Sequence, residues 1–468
     1  MGPGRRARRV SGAAPPGGPP SLHHWDATTR AAIAEAVALL HEHLDQYGGL
    51  PWTAAPSSFA GIASSITADG LGVPHAVAVL REEVIAHRLP LDDARFLSFI
   101  PAAPAPAAIA GDVVVSALSF SGEAAFEAAG AVRAENEVLA WLAGLAGLPS
   151  SAGGTFVSGG SAGNLNALAV ARDVARRRGV PRPGTVLVSR HTHASVVVAA
   201  RLLDLDVRVI PVDRLDGPAV RAAMTSDVVA VVASAGSTNA GLVDDLAGVA
   251  MTTSPAGVWL HVDAAYGGAA LLVPELRGLF AGVEHADSLI VDPHKWLFAP
   301  LDCCALLFAD PTLARRVFRQ DAPYLDPLTA PDDAPPDPFA ATWNPSDYAF
   351  QLTRRARGLP LWCALAVHGV DAFAAAVRAG VAAAAAAAAQ VEATPYLELV
   401  LPPELGVVVL RRRGWGTAEY AAWSQARLSS GEAVVVPTSW DGEPALRMVF
   451  LHPRVPDGLV AGLLASLA

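Results

Sequence analysis

Residues 288–308 read SLIVDPHKWLFAPLDCCALLF. A short apolar run ends at Asp292 and Pro293, and a second begins at Cys304, the pattern of two buried strands joined by a polar turn. The turn carries Asp292, His294, Lys295 and Trp296. A lysine beside tryptophan and between apolar strands is costly to bury unless its charge is paired or its amine enters a bond. Taken alone, it also fits an ordinary lysine whose stem lies on apolar surface while its charge reaches water.

Upstream, 258–272 reads VWLHVDAAYGGAALL and puts Asp263 at the end of another apolar run. A carboxylate buried there needs a cationic partner, which a protonated pyridine nitrogen would provide; the same aspartate would also serve as a helix cap. Further short apolar strands are expected at 185–189, 206–210 and 228–233, with helical segments between several of them. Strands separated by crossovers predict an α/β domain with a mainly parallel sheet and its chemistry at the strand ends.

Three more strand-end segments carry suitable groups. In 153–172, GGTFVSGGSAGNLNALAVAR, the residues Gly159, Gly160 and Ser161 open an expected helix at 161–178. Small residues, free amides and the helix dipole suit a phosphate, although a plain tight turn has the same composition and the GxGxxG order of a dinucleotide site is missing. In 231–246, VVASAGSTNAGLVDDL, Ser237 and Thr238 follow a strand as phosphate or ring-oxygen donors, or as an ordinary cap. In 186–196, VLVSRHTHASV, His193 is placed to stack on a heteroaromatic ring, while His191 faces solvent; the alternate spacing of the two histidines gives no metal site. Together with Lys295 and Asp263, these elements converge on pyridoxal 5'-phosphate, held by Lys295 as a Schiff base.

The chain has 468 residues, 52% hydrophobic and 17% charged, enough for a large catalytic domain with smaller flanking parts. Its formal net charge of −10 argues against a nucleic-acid face. Cys303, Cys304 and Cys363 match neither a zinc knuckle nor a disulfide framework, so a reducing, cytoplasmic setting is expected. No membrane segment is expected, the alanine run at 382–389 being too short to span and reading as helix. The expected organisation is a disordered head at 1–22, an N-terminal helical arm at 23–110, a large cofactor-binding domain at 111–365 and a small α+β domain at 366–468. Within the large domain, the Asp- and Pro-rich stretch 325–345 reads as a mobile loop. The arm contains helical stretches at 26–48 and 74–88, whose apolar faces need a partner that another subunit would provide.

The stretches ARFLSFIPAAPAP at 94–106, TFVSGGSAGNLNALAVAR, WLHVDAAYGG, VDPHKWL and LRMVFLHPR at 446–454 resemble the pyridoxal-phosphate-dependent (group II) amino-acid decarboxylases, among them the aromatic-L-amino-acid, glutamate and diaminobutyrate enzymes. The similarity runs from about residue 50 to the C-terminus. The resemblance implies the fold type I, aspartate-aminotransferase-like architecture and a homodimer with active sites near the interface. It implies loss of carbon dioxide from an L-amino acid through external aldimine and quinonoid intermediates to give the amine. By the same resemblance Lys295 is the Schiff-base lysine, Asp263 the pyridine-nitrogen partner, His193 the stacking histidine and Ala265 the small residue against the other ring face. Gly160, Ser161, Ser237 and His294 match cofactor contacts. Asp292 stands where many relatives have a phosphate-contacting asparagine, and an ionised carboxylate has no proton to donate. Arg447 matches an arginine suited to the substrate carboxylate. Relatives place a proton-donating tyrosine on the mobile loop; here Pro345 stands near that register, flanked by Phe339 and Tyr348, and Tyr348 is the candidate donor. Without a donor the chemistry turns toward an aldehyde synthase, and an aminotransferase or other lyase is the further alternative.

Overall fold

The computed structural model describes residues 25–45, 59–100, 103–328, 337, 340 and 343–468. The expected head at 1–22 and most of the 325–345 stretch, Phe339 included, lie outside the described residues. The chain divides into two compact units, residues 1–88 and 89–468. In the first, helices span Ala27–Asp45, Ala60–Ala63 and Val73–Val79, the last continued by a wider turn over Leu80–Ile85. None of these elements contains a buried residue.

In the second unit, seven strands form one sheet: β1 Gly153–Val157, β2 Thr185–Ser189, β3 Asp206–Ile210, β4 Val228–Ser234, β5 Trp259–Asp263, β6 Ser288–Val291 and β7 Cys304–Phe308, in the order β1-β7-β6-β5-β4-β2-β3. Strands β3, β2, β4, β5 and β6 pair in parallel, while β7 runs antiparallel to both β6 and β1. The continuous apolar runs make sense because both faces are covered. Val231 and Ala233 enter one core with Leu139, Val249 and Phe373; Ala230 and Val232 enter the other with Leu168, Val196 and Ala314. This is the period-two alternation of a strand buried on both sides.

The glycine-rich GGTFV stretch, outside the expected strands, is strand β1. Glycine weakens a strand signal, yet at Gly154 any Cβ would come within 1.9 Å of the Leu306 carbonyl oxygen on β7, so the pairing itself demands it.

Four antiparallel strands make a second sheet, β8 Leu397–Leu399, β9 Val407–Arg412, β10 Pro437–Trp440 and β11 Glu443–Val449, in the order β10-β11-β9-β8. It packs with helices Val370–Glu392, Thr417–Ser429 and Leu459–Ala465 through Ala384, Tyr420, Met448 and Leu463. The alanine run is therefore part of a 23-residue helix, long and apolar enough by length and composition to cross a membrane. Its buried side instead joins two protein cores, through Phe373 and Val377 in one and Ala384, Ala387 and Val391 in the other.

Two glycines bring the loops after β4 and β5 together. Gly236 has φ of 110°, and a Cβ on it would lie 2.9 Å from Gly267 Cα; a Cβ on Gly267 would lie 2.1 Å from the Ala235 carbonyl oxygen. Replacing Gly267 by alanine is expected to destabilise the protein by about 1–3 kcal/mol through overpacking. A lowered urea midpoint with unchanged slope is the measurement that checks it.

Candidate active site

The C-terminal ends of β1, β2, β4, β5 and β6 share one edge of the sheet, where a cavity of about 280 Å³ opens. Gly160, Ser161, His193, Ser237, Asp263, Ala265, Asp292, His294 and Lys295 all line it. No side chain caps the helix Gly160–Arg177, so its first amides and the Ser161 hydroxyl present the positive end of the helix dipole to this space. A Cβ on Gly160 would sit 3.1 Å from Asp292 Oδ2 and 3.4 Å from Ala265 Cβ, so glycine keeps the cradle open.

Lys295 Nζ lies 2.9 Å from Asp292 Oδ2. Burial pulls the Lys295 pKa down, but the Asp292 charge and hydrogen bond outweigh it and leave the pKa above the usual lysine value. His294 Nδ1 accepts from the Cys303 amide at 3.0 Å, and its Nε2 stands 3.6 Å from the same Asp292 oxygen. Burial lowers the His294 pKa more than Asp292 restores it, favouring the neutral ring.

Asp263 is held by residues that the motif reading passed over. Asn164 Nδ2 donates to Asp263 Oδ2 at 3.0 Å and to Ser195 Oγ at 2.9 Å, while the Ala265 amide donates to Asp263 Oδ1 at 3.2 Å. Behind them, His261 Nε2 is 2.8 Å from Asn164 Oδ1, His261 Nδ1 is 2.8 Å from Ser288 Oγ, and Trp259 Nε1 donates to Ser288 Oγ at 2.8 Å. The carboxylate settles every direction in this chain. The amide must turn its NH₂ toward Asp263, so its oxygen accepts from His261 Nε2, and His261 Nδ1 accepts the Ser288 proton. Burial lowers the His261 pKa to about 4 against the pull of Asp263, keeping the ring neutral. Ser195 carries the order further: its oxygen accepts from Asn164, so its proton goes to His193 Nδ1 at 2.7 Å, and its amide donates to the same nitrogen at 3.2 Å. One carboxamide thus orients both Asp263 and His193. Nothing in the sequence flagged Asn164 or His261, because the partners are 97 and 99 residues apart.

Arg447 does not line this cavity. It opens on an adjoining one of about 410 Å³, which shares His193 and Thr238 with the first. The Arg447 side chain donates to the Phe99 carbonyl at 2.7 Å, Nε is buried without a partner, and no carboxylate pairs with it among the described residues. Burial depresses its pKa to about 10. Phe99, at φ of 55°, lies in the second unit's segment 94–100, which the Leu97 amide ties to the Val434 carbonyl at 2.9 Å.

Tyr348, expected as a proton donor, lines neither cavity. It is 4% exposed, stacks on Trp343 with centroids 4.0 Å apart, and lies in the core with Phe318 and Ala314. The aromatic docks the chain after the loop against Trp343.

Residues 82–413 match the pyridoxal-dependent decarboxylase conserved domain. The chain belongs to that family. It is 33% identical over 417 residues to an L-2,4-diaminobutyrate decarboxylase of Rhizobium meliloti, covering 85% of this chain and 82% of the relative. It is 30% identical over 392 residues to an aromatic-L-amino-acid decarboxylase of Bacillus atrophaeus, covering 81% and 80%. The crystal structure of Oryza sativa TDC with PLP and tryptamine superposes with a TM-score of 0.86 at 26% identity, over 96% of this chain and 99% of that one. The architecture is fold type I, the large mainly parallel sheet accompanied by a small antiparallel one, and the chain is a member of a family of pyridoxal-dependent carboxy-lyases.

The neutral His261 generates a stability prediction. Its native pKa is about 4 and its unfolded value about 6.5, so the unfolded chain binds more protons between them. Stability should fall as pH drops through that window, on the order of 3 kcal/mol in all, and His261→Gln should flatten this part of the profile. Denaturant unfolding at a series of pH values reads the difference.

Proposed function

We propose that the protein decarboxylates an L-amino acid to the corresponding amine with pyridoxal 5'-phosphate bound in the 280 Å³ cavity. The donor set fits that group: an uncapped helix end with Ser161 for the phosphate, supported by Ser237 and His294; Asp263 for the pyridine nitrogen; His193 and Ala265 for the two ring faces; and Lys295 as the amine that bonds to the aldehyde. When bound, the cofactor supplies an electron sink for the carbon that loses carbon dioxide. Asn164 keeps Asp263 aimed and supplied with a donor, so the carboxylate remains the acceptor for a ring N–H. His193 is anchored through Nδ1, which leaves the Nε2 side of its ring for the cavity.

The observation that carries the reading is the buried guanidinium of Arg447, which meets no carboxylate among the described residues. A buried cation with no counter-charge is costly, and a substrate carboxylate entering the adjoining cavity offsets that cost. Because this cavity and the first share His193, a carboxylate held by Arg447 arrives beside the cofactor seat. Arg447 therefore orients the substrate by its carboxylate group before that group leaves.

The protein is proposed to act as a homodimer in the cytoplasm. The first unit's helices bury none of their side chains, leaving Ile33, Val37, Leu80 and Val84 for a second copy to cover. Cys303, Cys304 and Cys363 are free thiols, which suits a reducing compartment.

Incubation with a panel of amino acids, following carbon dioxide, amine, aldehyde and oxygen together, tests the reaction. Equal amine and carbon dioxide without oxygen uptake is expected; aldehyde with oxygen uptake would replace the proposal by an aldehyde synthase. Lys295→Ala should abolish the visible band that borohydride removes from the wild type. Arg447→Met should raise KM roughly a hundredfold, the loss of about 3 kcal/mol for a buried charge contact, while leaving that band in place. An unchanged KM would remove Arg447 from the substrate site.

A further inference from the structure

Asp292 is the carboxylate that the cavity sets against the helix end, where its charge is wrong for a phosphate seat. It is 2% exposed; Oδ2 contacts Lys295 Nζ at 2.9 Å and faces Gly160 at the helix end, while Oδ1 is buried with no hydrogen-bond partner. The titratable groups around it are Lys295 and His294 on its own turn, Cys304 on β7, Asp263 on β5 and, farther off, Cys303. Burial and the Asp292 charge keep Cys304 a thiol. Lysine therefore supplies the ammonium that balances this carboxylate, and the same lysine must become a free amine before it can attack an aldehyde.

A dianionic phosphate arriving at the end of helix Gly160–Arg177 sets a second negative group near Asp292 Oδ2. Both events favour a neutral carboxyl, and in a buried site a neutral pair competes well with an ion pair. We propose that Asp292 is the internal proton acceptor for cofactor loading, taking the Lys295 ammonium proton directly across the 2.9 Å contact. The steps balance. The ammonium N–H bond breaks and an O–H bond forms on Asp292, giving amine and carboxylic acid from ammonium and carboxylate. The amine lone pair then forms the bond to the cofactor's aldehyde carbon, and the aldehyde oxygen leaves as water with the two remaining amine hydrogens. Asp292, neutral at the end, has a proton to offer a phosphate oxygen where its ionised form had none.

This inference rests on Lys295 being the amine that bonds the cofactor, and it has a signature that reading lacks. The reactive amine–acid pair carries the same number of protons as the resting ion pair, so its population does not depend on bulk pH. In Asp292→Asn the proton must go to solvent, and the amine fraction rises about tenfold per pH unit below the lysine pKa. His193 and His294 line the same cavity and are present in both proteins, so any slope they contribute is common to both.

Stopped-flow mixing of cofactor-free full-length protein with pyridoxal 5'-phosphate, followed by growth of the visible band between about pH 7 and 8.5, measures the capture rate. The expected wild-type rate is nearly flat, and the Asp292→Asn rate climbs about tenfold per pH unit. A wild type that itself climbs tenfold per unit overturns the proposal without need of the variant, as does a variant whose profile parallels the wild type. Infrared difference spectra on cofactor addition provide a second readout: a protonated carboxylic-acid band should appear in the wild type and be missing from Asp292→Asn, and its absence from the wild type overturns the proposal. No visible band in the wild type at any pH would sink the Lys295 assignment, and this inference with it.

Discussion

The Lys295–Asp292 contact at the end of β6 is the constraint around which the site is built. A buried ammonium has to be balanced from within hydrogen-bonding distance, and the carboxylate that balances it has to be enclosed in turn. The Pro293 turn that follows β6 achieves both, with the Lys295 amide donating to the Asp292 carbonyl at 2.9 Å and the Asp292 amide to the Ala265 carbonyl at 3.0 Å. The second of these bonds ties the lysine turn to the loop after β5, and therefore to Asp263. The two ends of the cofactor seat are set by backbone hydrogen bonds rather than by flexible side chains.

Around that contact, the remaining polar groups divide by what satisfies them. Asp263, Asn164, His261, Ser288 and Trp259 satisfy one another in a single direction, so the aspartate reaches the cavity in one orientation. Nε of Arg447 and Oδ1 of Asp292 have no hydrogen-bond partner among the described residues, and both side chains line cavities. The small sheet contributes to the same geometry: Arg447 comes from β11, and the Gly406 amide donates to the Tyr266 hydroxyl at 2.7 Å, joining the loop after β5 to the segment before β9.

The inner strands β2, β4, β5 and β6 were legible because burial on both faces leaves an uninterrupted apolar run, and the polar residues that end each run had to lie at a common edge. β1 was not legible: its glycines answer a carbonyl on β7, a contact invisible in local composition. Nor could the alanine-rich segment reveal the full extent of its helix, whose apolar length reflects two cores met in succession. The placement of Tyr348 outside both cavities was hidden for a related reason. Its position after the loop made it a plausible donor, but its ring is committed to Trp343 in the core.

By itself, the order of residues determined the fold class, the family and the set of side chains at the strand ends, because hydrophobic periodicity and short motifs are local properties of the chain. Which polar groups have partners follows from the folded chain. It put Asn164 between Asp263 and Ser195, left Arg447 without an acid among the described residues, and pressed Asp292 against both Lys295 and the helix end. Hydrogen bonds and charge pairs act over about 3 Å, and residues a hundred positions apart come that close only when the chain has folded.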